Sequence, residues 1–407
     1  MKAYILAAGE GTRMRPLTAN IPKPLLPIAG KPFIVHTIDA IRKAGIKEAT
    51  ILIGWRGRRV REVLKDGSDF GIKIDYEEQD RRLGTAHAIG LARSHMKRKF
   101  LCLNGDIIIP PEALRDFIQF SHGKGNIVGL THVEDSRSFG VVDLAEDVIQ
   151  GIEEKPERPK SNLINAGVYV FQPEIFDIIK RTKKSTRGEY EITDSLKILM
   201  RKKKVYGFPL PGEWIDVGRP WDLLKANAVI MKGMKPKTAG KIEKNVVVDG
   251  VLRVGKGSVV RSGTTIEGPV VIGKGSVVGP NSHIRGSTFI GDECKVGAAS
   301  EIKNSIVMNG THVPHHNYVG DSILGERCNL GSGTKIANLR LDESNISIFI
   351  KGVRMETGLR KLGVIMGDDV KTGINASIDS GTIVGEDSFI GPGALASGFI
   401  SPESRIH

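Results

Sequence analysis

A six-residue hydrophobic repeat runs through the second half of the chain and restricts the folds open to it. Twelve consecutive positions spaced by six are apolar. With 40% hydrophobic residues overall, chance gives such a run with a probability on the order of 10⁻⁵. A period of six fits neither an α-helix nor a single strand. It is typical of a left-handed parallel β-helix, a prism with three flat faces per coil. The positions are Ile242, Val248, Val254, Val260, Ile266, Ile272, Val278, Ile284, Ile290, Val296, Ile302 and Met308.

The repeat changes phase twice. After Met308 the next slot is Pro314, but the later slots are Leu324, Leu330 and Ile336. We therefore predict an inserted loop of four residues around 314–317. A second break over about 338–364 predicts another loop before the repeat resumes at Met366. Because loops on rigid scaffolds often carry function, both are candidate sites.

The first half of the chain alternates strand and helix patterns. Buried strands are predicted at 4–7, 49–53, 72–76 and 100–103, and helices at 33–44 and about 220–234. This alternation favours an α/β, Rossmann-like domain with a mostly parallel, doubly wound sheet. The segment 235–241 contains Lys, Pro and Gly and is predicted to be a linker. The expected organisation is a nucleotidyltransferase domain at 1–234, the linker at 235–241 and a β-helix domain at 242–407.

Charge and composition limit the partners. The net charge is +13, yet aromatic residues are few and do not interleave the basic clusters, which disfavours nucleic-acid binding. The excess charge instead suits anionic small molecules. No run reaches the roughly 18 apolar residues of a membrane helix. Three cysteines without metal or redox spacing favour a cytoplasmic protein.

A glycine-rich turn follows the first strand, within Leu6 to Pro16. It is neither GxGxxG nor a Walker A loop, but glycines after a strand let backbone N–H groups approach a phosphate. Arg13 and Lys23 could neutralise a triphosphate. Asp106 follows a predicted strand at the edge where open α/β sheets bind ligands. Together with Asp216 it suggests Mg²⁺ held by oxygen ligands.

These motifs resemble sugar-1-phosphate nucleotidylyltransferases. The matching segments, in the family's order, are LAAGxGTRMxPLT from Leu6, Lys23-Pro24, Gly84-Thr85-Ala86, Asn104-Gly105-Asp106, Glu153-Glu154-Lys155-Pro156, Asn165-Ala166-Gly167 and WxDVG from Trp214. The resemblance implies that nucleotide is held by Leu6, Ala7, Ala8, Gly9, Gly11, Gln79, Gly84 and Thr85. Arg13 and Lys23 would be catalytic, and Asp106 and Asp216 would ligate Mg²⁺. Sugar phosphate would be held by Asn104, Gly105, Gly140, Glu153, Glu154, Lys155, Asn165 and Gly167.

The first break in the repeat contains a histidine pair, His315 and His316. Without Cys, Asp or Glu at ligand spacing the pair is poor evidence for zinc, and histidines in a loop can simply be surface residues. A histidine in a looped-out segment of a rigid prism is instead a candidate base near neutral pH.

Residues from about 242 to 400 resemble hexapeptide acyltransferases. The resemblance is strongest to the acetyltransferase half of bifunctional N-acetylglucosamine-1-phosphate uridyltransferases, especially the archaeal type. It rests on segments 282–285, 301–303, 314–321, 329–334 and 337–340. It implies that His315 deprotonates the 2-amino group of an amino-sugar phosphate, with acetyl-CoA as co-substrate. The other implied site residues are Arg285, Lys303, Tyr318, Asn329, Ser332, Asn338 and Lys361.

The resemblance implies a bifunctional enzyme that uses UTP or dTTP, hexose- and hexosamine-1-phosphates and acetyl-CoA, assembled as a homotrimer or larger homo-oligomer. Asp216 matches thymidylyltransferases, whereas the bacterial bifunctional enzyme has Asn there, so the choice between UTP and dTTP stays open. Two alternatives also stay open. The prism could serve only to assemble a nucleotidylyltransferase, or the chain could be a non-catalytic regulator built on both modules.

Overall fold

The chain packs into two units that cut across the sequence boundaries predicted above. The computed structural model describes residues 1–350 and 352–407. The first unit contains Met1–Glu10, Pro22–Leu25 and Phe33–Asp216, and the second contains Gly11–Ile21, Leu26–Pro32 and Val217–His407. Because these units follow packing, the boundaries 1–234, 235–241 and 242–407 stay predictions about the two functional modules.

A nine-stranded sheet forms the centre of the first unit. Its apolar strand residues are buried on both faces, as expected for a sheet covered by helices. The spatial order is β3-β2-β1-β4-β8-β5-β9-β7-β6. In chain order the strands are β1 Lys2–Leu6, β2 Glu48–Ile53, β3 Lys73–Glu78, β4 Phe100–Asn104, β5 Asn126–His132, β6 Gly140–Ala145, β7 Val148–Glu154, β8 Leu163–Phe171 and β9 Val205–Pro209.

The sheet is less parallel than predicted. Strands β1 to β4 pair in parallel, as the strand–helix alternation requires. Strand β8, however, runs antiparallel to β4 and β5, and β6 and β7 form an antiparallel hairpin. The two-residue connection between β6 and β7 is too short for a parallel crossover, which needs a dozen or more residues. The prediction of a mostly parallel sheet is therefore right for the first half of the sheet and wrong for the second.

Six helices flank this sheet. Helix α1 spans Phe33–Lys43, within one residue of its predicted end, and Gly45 follows with a φ of 94°. Its apolar positions at spacings of three and four are buried against the sheet. The others are α2 Gly57–Leu64, α3 Thr85–Gly90, α4 Pro111–Phe120, α5 Ile175–Ile179 and α6 Ile192–Met200. Short 3-10 turns lie at Lys23–Leu25, Ser68–Phe70 and Leu91–Ser94, and a ribbon pairs Ile107–Ile108 with Ile215–Asp216.

Three parallel sheets form the prism in the second unit, as the hexad repeat predicts. Sheet A contains Lys237–Thr238, Leu252–Val254, Val270–Ile272, Thr288–Ile290, Ile306–Val307, Ile323–Leu324, Ile365–Met366, Ile383–Val384 and Phe399–Ile400. Sheet B contains Val247–Asp249, Thr265–Glu267, His283–Arg285, Glu301–Lys303, Tyr318–Gly320, Lys335–Ile336, Ser377–Ile378 and Leu395–Ala396. Sheet C contains Lys241–Ile242, Val259–Val260, Val277–Val278, Lys295–Val296 and His312–Val313, then Lys371–Thr372, Phe389–Ile390 and Arg405–Ile406.

The remaining elements of the second unit are short. They are the 3-10 turn Thr12–Met14, the paired strands Pro27–Ile28 and Lys31–Pro32, helix α7 at Asp222–Lys232 and the hairpin Ser347–Ile350 with Val353–Glu356. Lys237–Thr238 lies inside the predicted linker, yet it pairs in parallel with Leu252–Val254 as the first strand of sheet A. In the described chain, no helix has both the length and the apolar character needed to cross a membrane.

The prism axis is filled by the hexad residues from Val254 to Ile302. The predicted phase holds at the start of the repeat, where Ile242 and Val248 pair with Val260 and Ile266 but are 39% and 41% exposed because no earlier coil covers them. It fails after Ile302, where Ile290 pairs with Val307 and not with Met308.

The predicted four-residue insertion at 314–317 is wrong. The core residues after Ile302 are Val307, Val313, Val319 and Leu324. Steps of six hold across 307–319, including the histidine pair, whereas the steps from Ile302 to Val307 and from Val319 to Leu324 are five. The chain thus loses one residue at each of two stacked corners between sheets B and A. His315 and His316 lie on a corner of ordinary length.

The second break is a true insertion. Ile272 pairs with Ile290, 18 residues later, but Leu324 pairs with Met366, 42 residues later. The extra length leaves the corner between sheets B and A after Ile336 and contains the antiparallel hairpin of 347–356. An isolated bridge joins Leu339 to Lys361 where this arm leaves and returns.

Candidate active sites

Four strand ends meet at the carboxyl edge of the parallel half-sheet. Leu6 is in register with Leu52 of β2 and Asn104 of β4. The Ala7 N–H donates to Leu52 O at 2.9 Å, and the Gly105 N–H donates to Leu6 O at 2.8 Å. The sheet therefore brings the predicted nucleotide-binding residues Leu6 to Gly9 beside the predicted sugar-phosphate residues Asn104 and Gly105.

Gln79 and the Gly84–Thr85 turn complete the nucleotide side of this edge. Gln79 follows β3, and its Nε2 lies 3.0 Å from His87 Nδ1. Gly84 has a φ of 108°, and a Cβ there would lie 2.5 Å from the Tyr190 carbonyl oxygen. The turn is pinned from outside, since Ala86 N–H donates to Tyr190 O and Ile192 N–H donates to Thr85 Oγ1. Only glycine fits this turn.

The sugar side of the edge is built around β8. Asn165 Nδ2 donates to Tyr169 Oη at 2.7 Å, and its Oδ1 accepts from the Gly167 N–H at 3.0 Å. The pairing of β8 with β5 shifts register between Asn165 and Tyr169, so this segment leaves the regular ladder. Trp214 Nε1 donates to Ala166 O at 3.0 Å and so ties the WxDVG motif to the same strand.

Glu154 is in the site, whereas the neighbouring Glu153 is not. Glu154 pairs in register with Gly140, and its Oε2 accepts from Thr193 Oγ1 at 3.1 Å. Burial, with the nearby Glu191 carboxylate, raises the pKa of Glu154 above its ordinary value. Glu153 is exposed, and adjacent strand residues point to opposite faces. The structure therefore does not bring Glu153 to the predicted sugar-phosphate site.

Arg187 and Glu191 are parts of this site that the sequence prediction missed. Arg187 Nη2 lies 2.6 Å from Glu191 Oε1 and 3.7 Å from Glu154 Oε1. Glu191 is 4% exposed and precedes helix α6. The run of acidic and hydroxyl residues over 189–194, which leads into the first turn of the apolar helix α6, was the available signal. Lys155 stays beside the site, with its Nζ 4.0 Å from Glu154 Oε1.

The two predicted metal ligands lie on one ribbon. Asp216 pairs with Ile107, the residue after Asp106. Lys23 is 8% exposed, and its Nζ donates to Asp106 Oδ2 at 2.7 Å. Mg²⁺ is usually bound by one or two carboxylates together with substrate phosphates, and this donor set fits it. Across the described residues no cluster of three or more His, Cys, Asp or Glu forms a complete protein cage.

Arg13 and Gly11 belong to the other packing unit. Gly11 has a φ of 66° and precedes the 3-10 turn Thr12–Met14, which carries the exposed Arg13. Thr18 Oγ1 donates to Gly11 O at 2.8 Å and closes the turn.

Two cations are stacked on sheet B of the prism. Arg285 pairs in register with Lys303, and Lys303 pairs with Gly320. Neighbouring strands are about 4.8 Å apart, so the two side chains form a short basic ladder. Arg285 Nη1 lies 2.9 Å from Glu301 Oε1, which leaves the guanidinium half-exposed and oriented.

Hydrogen bonds join three of the predicted acetyltransferase residues. Asn338 Nδ2 donates to Asp321 Oδ2 at 2.5 Å and lies 3.3 Å from Tyr318 Oη, and Lys303 Nζ lies 3.2 Å from the same Asp321 oxygen. Burial, with Glu301 and Asp321 nearby, raises the pKa of Tyr318. Its phenol therefore stays neutral and can donate. Asp321 itself was not among the predicted site residues.

His315 lies at the other corner of the same face. Its carbonyl oxygen accepts from the Gly333 N–H at 3.3 Å, so the Ser332–Gly333 corner stacks on it. The ring is exposed and contacts the His316 ring edge-on, with 6.0 Å between centroids. Ser332 is thus brought to His315. Within one chain, Tyr318 on sheet B lies between this corner and the Lys303 cluster.

Asn329 and Lys361 occupy different places. Asn329 is exposed on sheet C, bridged to His312 and Lys371, and does not join the cluster around Lys303. Lys361 is exposed beside Asn338, because Leu362 N–H donates to Asn338 O at 3.0 Å. A groove of about 290 Å³ runs along sheet B beside Tyr318. Its walls are Tyr318, Lys335, Ile336, Ala337, Ser377, Ile378, Asp379 and Leu395.

A larger groove of about 520 Å³ lies elsewhere, along β7 and helix α6 of the first unit. It contains none of the predicted site residues. We locate the active sites by the strand-end carboxylates and the prism cluster, because those positions combine charge, burial and hydrogen bonds.

Fold and site define a class: a nucleotidyltransferase domain that forms sugar nucleotides, joined to a hexapeptide-repeat acyltransferase domain. The family profile "Nucleotidyl transferase" matches residues 2–233, and "GMPPB C-terminal domain" matches residues 266–384. "Bifunctional protein GlmU" of Methanocaldococcus jannaschii is 44% identical over 100% of this chain and 97% of its own length. The "Bifunctional sugar-1-phosphate nucleotidylyltransferase/acetyltransferase" of Sulfurisphaera tokodaii is 37% identical over 98% and 97%. The chain belongs to this archaeal family of bifunctional nucleotidylyltransferase–acetyltransferases.

Solved structures match the first half of the chain. A putative glucose-1-phosphate thymidylyltransferase from Bacillus anthracis, in complex with a sucrose, is 32% identical. It aligns with 58% of this chain and 98% of its own, with a TM-score of 0.54. A UDP-glucose pyrophosphorylase complexed with UDP-glucose is 28% identical and aligns with 57% and 99%, with a TM-score of 0.52.

Proposed function

We propose that the chain catalyses two consecutive reactions on an amino-sugar-1-phosphate. The prism transfers the acetyl group of acetyl-CoA to the 2-amino group of glucosamine-1-phosphate or galactosamine-1-phosphate. The first unit then couples the N-acetylated sugar-1-phosphate to UTP or dTTP and releases pyrophosphate. The observation that carries the proposal is that both chemistries have their charged groups assembled in one chain: Lys23 with Asp106, and Lys303 with Asn338 and Tyr318.

In nucleotidyl transfer, the sugar phosphate is already an anion and needs no general base. Its oxygen attacks the α-phosphorus of the nucleotide, and the bond to pyrophosphate breaks. The residues contribute position and charge. Lys23 neutralises phosphate, the Gly84–Thr85 turn and Gln79 hold the nucleoside, and Glu154 with Asn165 holds the sugar. When bound at Asp106 and Asp216, Mg²⁺ would supply charge neutralisation on the phosphates.

In acetyl transfer, the amine attacks the thioester carbonyl, the coenzyme A thiolate leaves, and the amine loses a proton. His315 is the proposed acceptor of that proton. The Arg285–Lys303 ladder suits the sugar phosphate, because two stacked cations match one dianion. The groove beside Tyr318 suits the coenzyme A arm. Because Tyr318 separates the His315 corner from the Lys303 cluster within one chain, we propose that the complete site lies between neighbouring subunits.

The test is a paired assay on the unmodified protein. Glucosamine-1-phosphate and galactosamine-1-phosphate are each given with acetyl-CoA, and free thiol is measured. N-acetylated products are then given with UTP or dTTP and Mg²⁺, and pyrophosphate is measured. We expect thiol release with at least one amine and pyrophosphate with at least one nucleotide. Pyrophosphate without any thiol release would leave the prism a purely assembling domain.

A further inference from the structure

Asp321 is a buried carboxylate that contacts several parts of the prism site without being one of its expected ligands. Its side chain is 6% exposed. Oδ1 accepts from Asn304 Nδ2 at 2.7 Å, and Oδ2 accepts from Lys303 Nζ at 3.2 Å and from Asn338 Nδ2 at 2.5 Å. A carboxylate this deeply buried is stable only when its oxygens are paired and hydrogen-bonded, as they are here.

Asp321 lies on one of the two shortened corners. Lys303–Asn304 and Gly320–Asp321 lie on the two stacked corners that lack one residue, and Asp321 N–H donates to Lys303 O at 2.9 Å. Asn304 and Asp321 have φ values of 44° and 49°, a left-handed conformation that Asn and Asp tolerate better than most residues. At this corner the Asp321 carboxylate contacts Lys303 and Asn304 of the coil before it.

Asp321 fixes which atom Asn338 presents to a ligand. A carboxylate only accepts hydrogen bonds, so the Asn338 amide must direct Nδ2 toward Asp321 and keeps Oδ1 free. Gly320 makes this approach possible, because a Cβ there would lie 2.7 Å from both Asn338 Nδ2 and Tyr318 Oη. The orientation of Asn338 is therefore determined by Asp321.

The same residue anchors the inserted arm. Gly363 N–H donates to Asp321 O at 2.8 Å where the arm returns to the prism, and Leu362 N–H donates to Asn338 O at 3.0 Å. Asp321 is thus bonded to the basic ladder through Lys303 and to both ends of the arm.

We propose that Asp321 is a positioning residue of the acetyl-transfer site, which holds Lys303 at the place of the sugar phosphate and orients the Asn338 amide. This inference rests on the proposed function of the prism. It assigns Asp321 no proton transfer, since the proposed base is His315.

The test compares Asp321→Asn with Asp368→Asn in the full-length protein. Counted over the whole residue, the two aspartates are equally buried, at 4% exposure, but Asp368 accepts from Glu326 N–H and Asn20 Nδ2 instead of from site residues. In Asp321→Asn the new amide can donate to Asn338 Oδ1 and turn that amide over. Misplacement by about 1 Å can cost roughly 10²-fold. We expect kcat/KM for acetyl transfer to fall by about 10–100-fold, with a raised KM for glucosamine-1-phosphate.

Several readouts separate positioning from other roles. The pH profile of kcat should keep its acidic limb, because the base is untouched, and nucleotidyl transfer and the Asp368→Asn variant should be unchanged. The double variant Asp321→Asn with Asn338→Asp returns a carboxylate oxygen to the outward position and should recover part of the rate. An Asp321→Asn enzyme with wild-type kcat/KM overturns the proposal. A loss of kcat/KM that accompanies a lower unfolding temperature, and that the double variant does not recover, also overturns the proposal.

Crystal structures of the wild type and Asp321→Asn test positioning without any activity. We expect Lys303 Nζ to move and the Asn338 side chain to rotate away from its wild-type position. Unchanged positions of both side chains contradict the proposal. If the wild type acetylates neither amino-sugar phosphate, the proposed function fails, while the two structures still decide what Asp321 holds.

Discussion

At the scale of single residues, Asp106 is where the loss of one carboxylate should separate the two reactions. Asp106→Ala removes the proposed metal ligand and leaves the largely buried Lys23 unpaired. Metal-based charge stabilisation amounts to several kcal/mol, so nucleotidyl transfer should fall by at least about 10³-fold. Acetyl transfer should persist, because its residues lie in the prism. Pyrophosphate and thiol release measured on one preparation check this, with exposed Asp116→Ala on helix α4 as the control. Undiminished sugar-nucleotide synthesis by the Asp106 variant would refute the metal assignment.

The adjacent histidines offer a sharper comparison. His315→Ala should lower acetyl transfer by roughly 10²–10⁴-fold, the usual range for a lost general base. His316 has a φ of 60° and its carbonyl accepts from Lys335 Nζ, so its backbone has a structural role. His316→Ala keeps that carbonyl and should matter much less. Neither substitution should affect nucleotidyl transfer. If His316→Ala is the inactive variant, His316 is the base and the assignment to His315 is wrong.

The raised pKa of Glu154 predicts how the stability of the fold depends on pH. Its pKa is raised in the folded state by burial and by Glu191. Its contribution to stability is therefore complete below about pH 4.3, the unfolded value, and is lost as pH rises through the folded pKa. Glu154→Gln keeps the neutral shape and removes this loss. Thermal unfolding should show the variant gaining stability over the wild type at pH 8 but not at pH 4, while the KM for the sugar phosphate rises. Equal stability differences at both pH values would contradict the raised pKa.

The sequence predicts the motif residues better than it predicts the residues that hold them in place. Lys23, Asp106, Asn165 and Gly84 sit on strand ends or turns whose chemistry shows in the sequence. Arg187 and Asp321 act through partners 33 and 17 residues away, Glu154 and Asn338. No local pattern reveals such a pairing, because it depends on how loops and corners stack. Glu153 failed for the opposite reason: the motif includes it, but strand alternation turns it outward.

At the scale of elements, the hexad repeat predicted the prism and its axis but could not count residues at its corners. The spacing of apolar residues gives the phase of the hexad repeat only to within a multiple of six residues. From Ile302 to Ile336 there are 34 residues, which equals five hexads plus four or six hexads minus two. The insertion and the pair of shortened corners therefore give the same later slots. The structure has the pair of shortened corners. The repeat cannot reveal this, because it depends on which corner geometry closes the coil. The later break was predictable as an insertion because it exceeds a whole coil.

Asn317 departs from the hydrogen-bonding pattern of the prism corners, and we expect this to lower the stability of the prism. It occupies the corner position that Ser282 and Ser300 hold in the two preceding coils, where each serine hydroxyl donates to a carbonyl of the neighbouring coil. Both polar atoms of its side chain are buried without a partner. Unsatisfied buried groups cost about 1–3 kcal/mol each. Asn317→Ser should raise the unfolding temperature of the prism, measured by calorimetry, relative to the surface control Asn245→Ser. A lower unfolding temperature would mean that the amide is satisfied by bound water.

At the scale of the whole molecule, we predict that the prism self-associates. Leu395, Ile374 and Phe399 are 66%, 59% and 56% exposed, and burial of apolar side chains between subunits is favourable. Cyclic packing of three prisms would bury them and bring the His315 corner of one chain toward the Lys303 cluster of another. We expect the mass of a trimer or a multiple of it by light scattering. Phe399→Glu should give smaller species and lower acetyl transfer, with nucleotidyl transfer retained. A monomer with full acetyltransferase activity would contradict shared sites.

Sheet C is interrupted in the middle of the prism. Its regular strands stop at His312–Val313 and resume at Lys371–Thr372, with only single-residue bridges through Asn329 between them. In a solenoid each coil contacts only its neighbours, so folding cooperativity passes from one coil to the next. Backbone hydrogen bonds still cross the interrupted coil, from His312 N–H to Cys328 O and from Asn329 N–H to Val370 O. Because the coil also carries the arm, we expect the coupling between coils to be weaker there. The coils before it and after it should behave as two cooperative blocks, and evolution could lengthen or replace the terminal block without disturbing the blocks that come before.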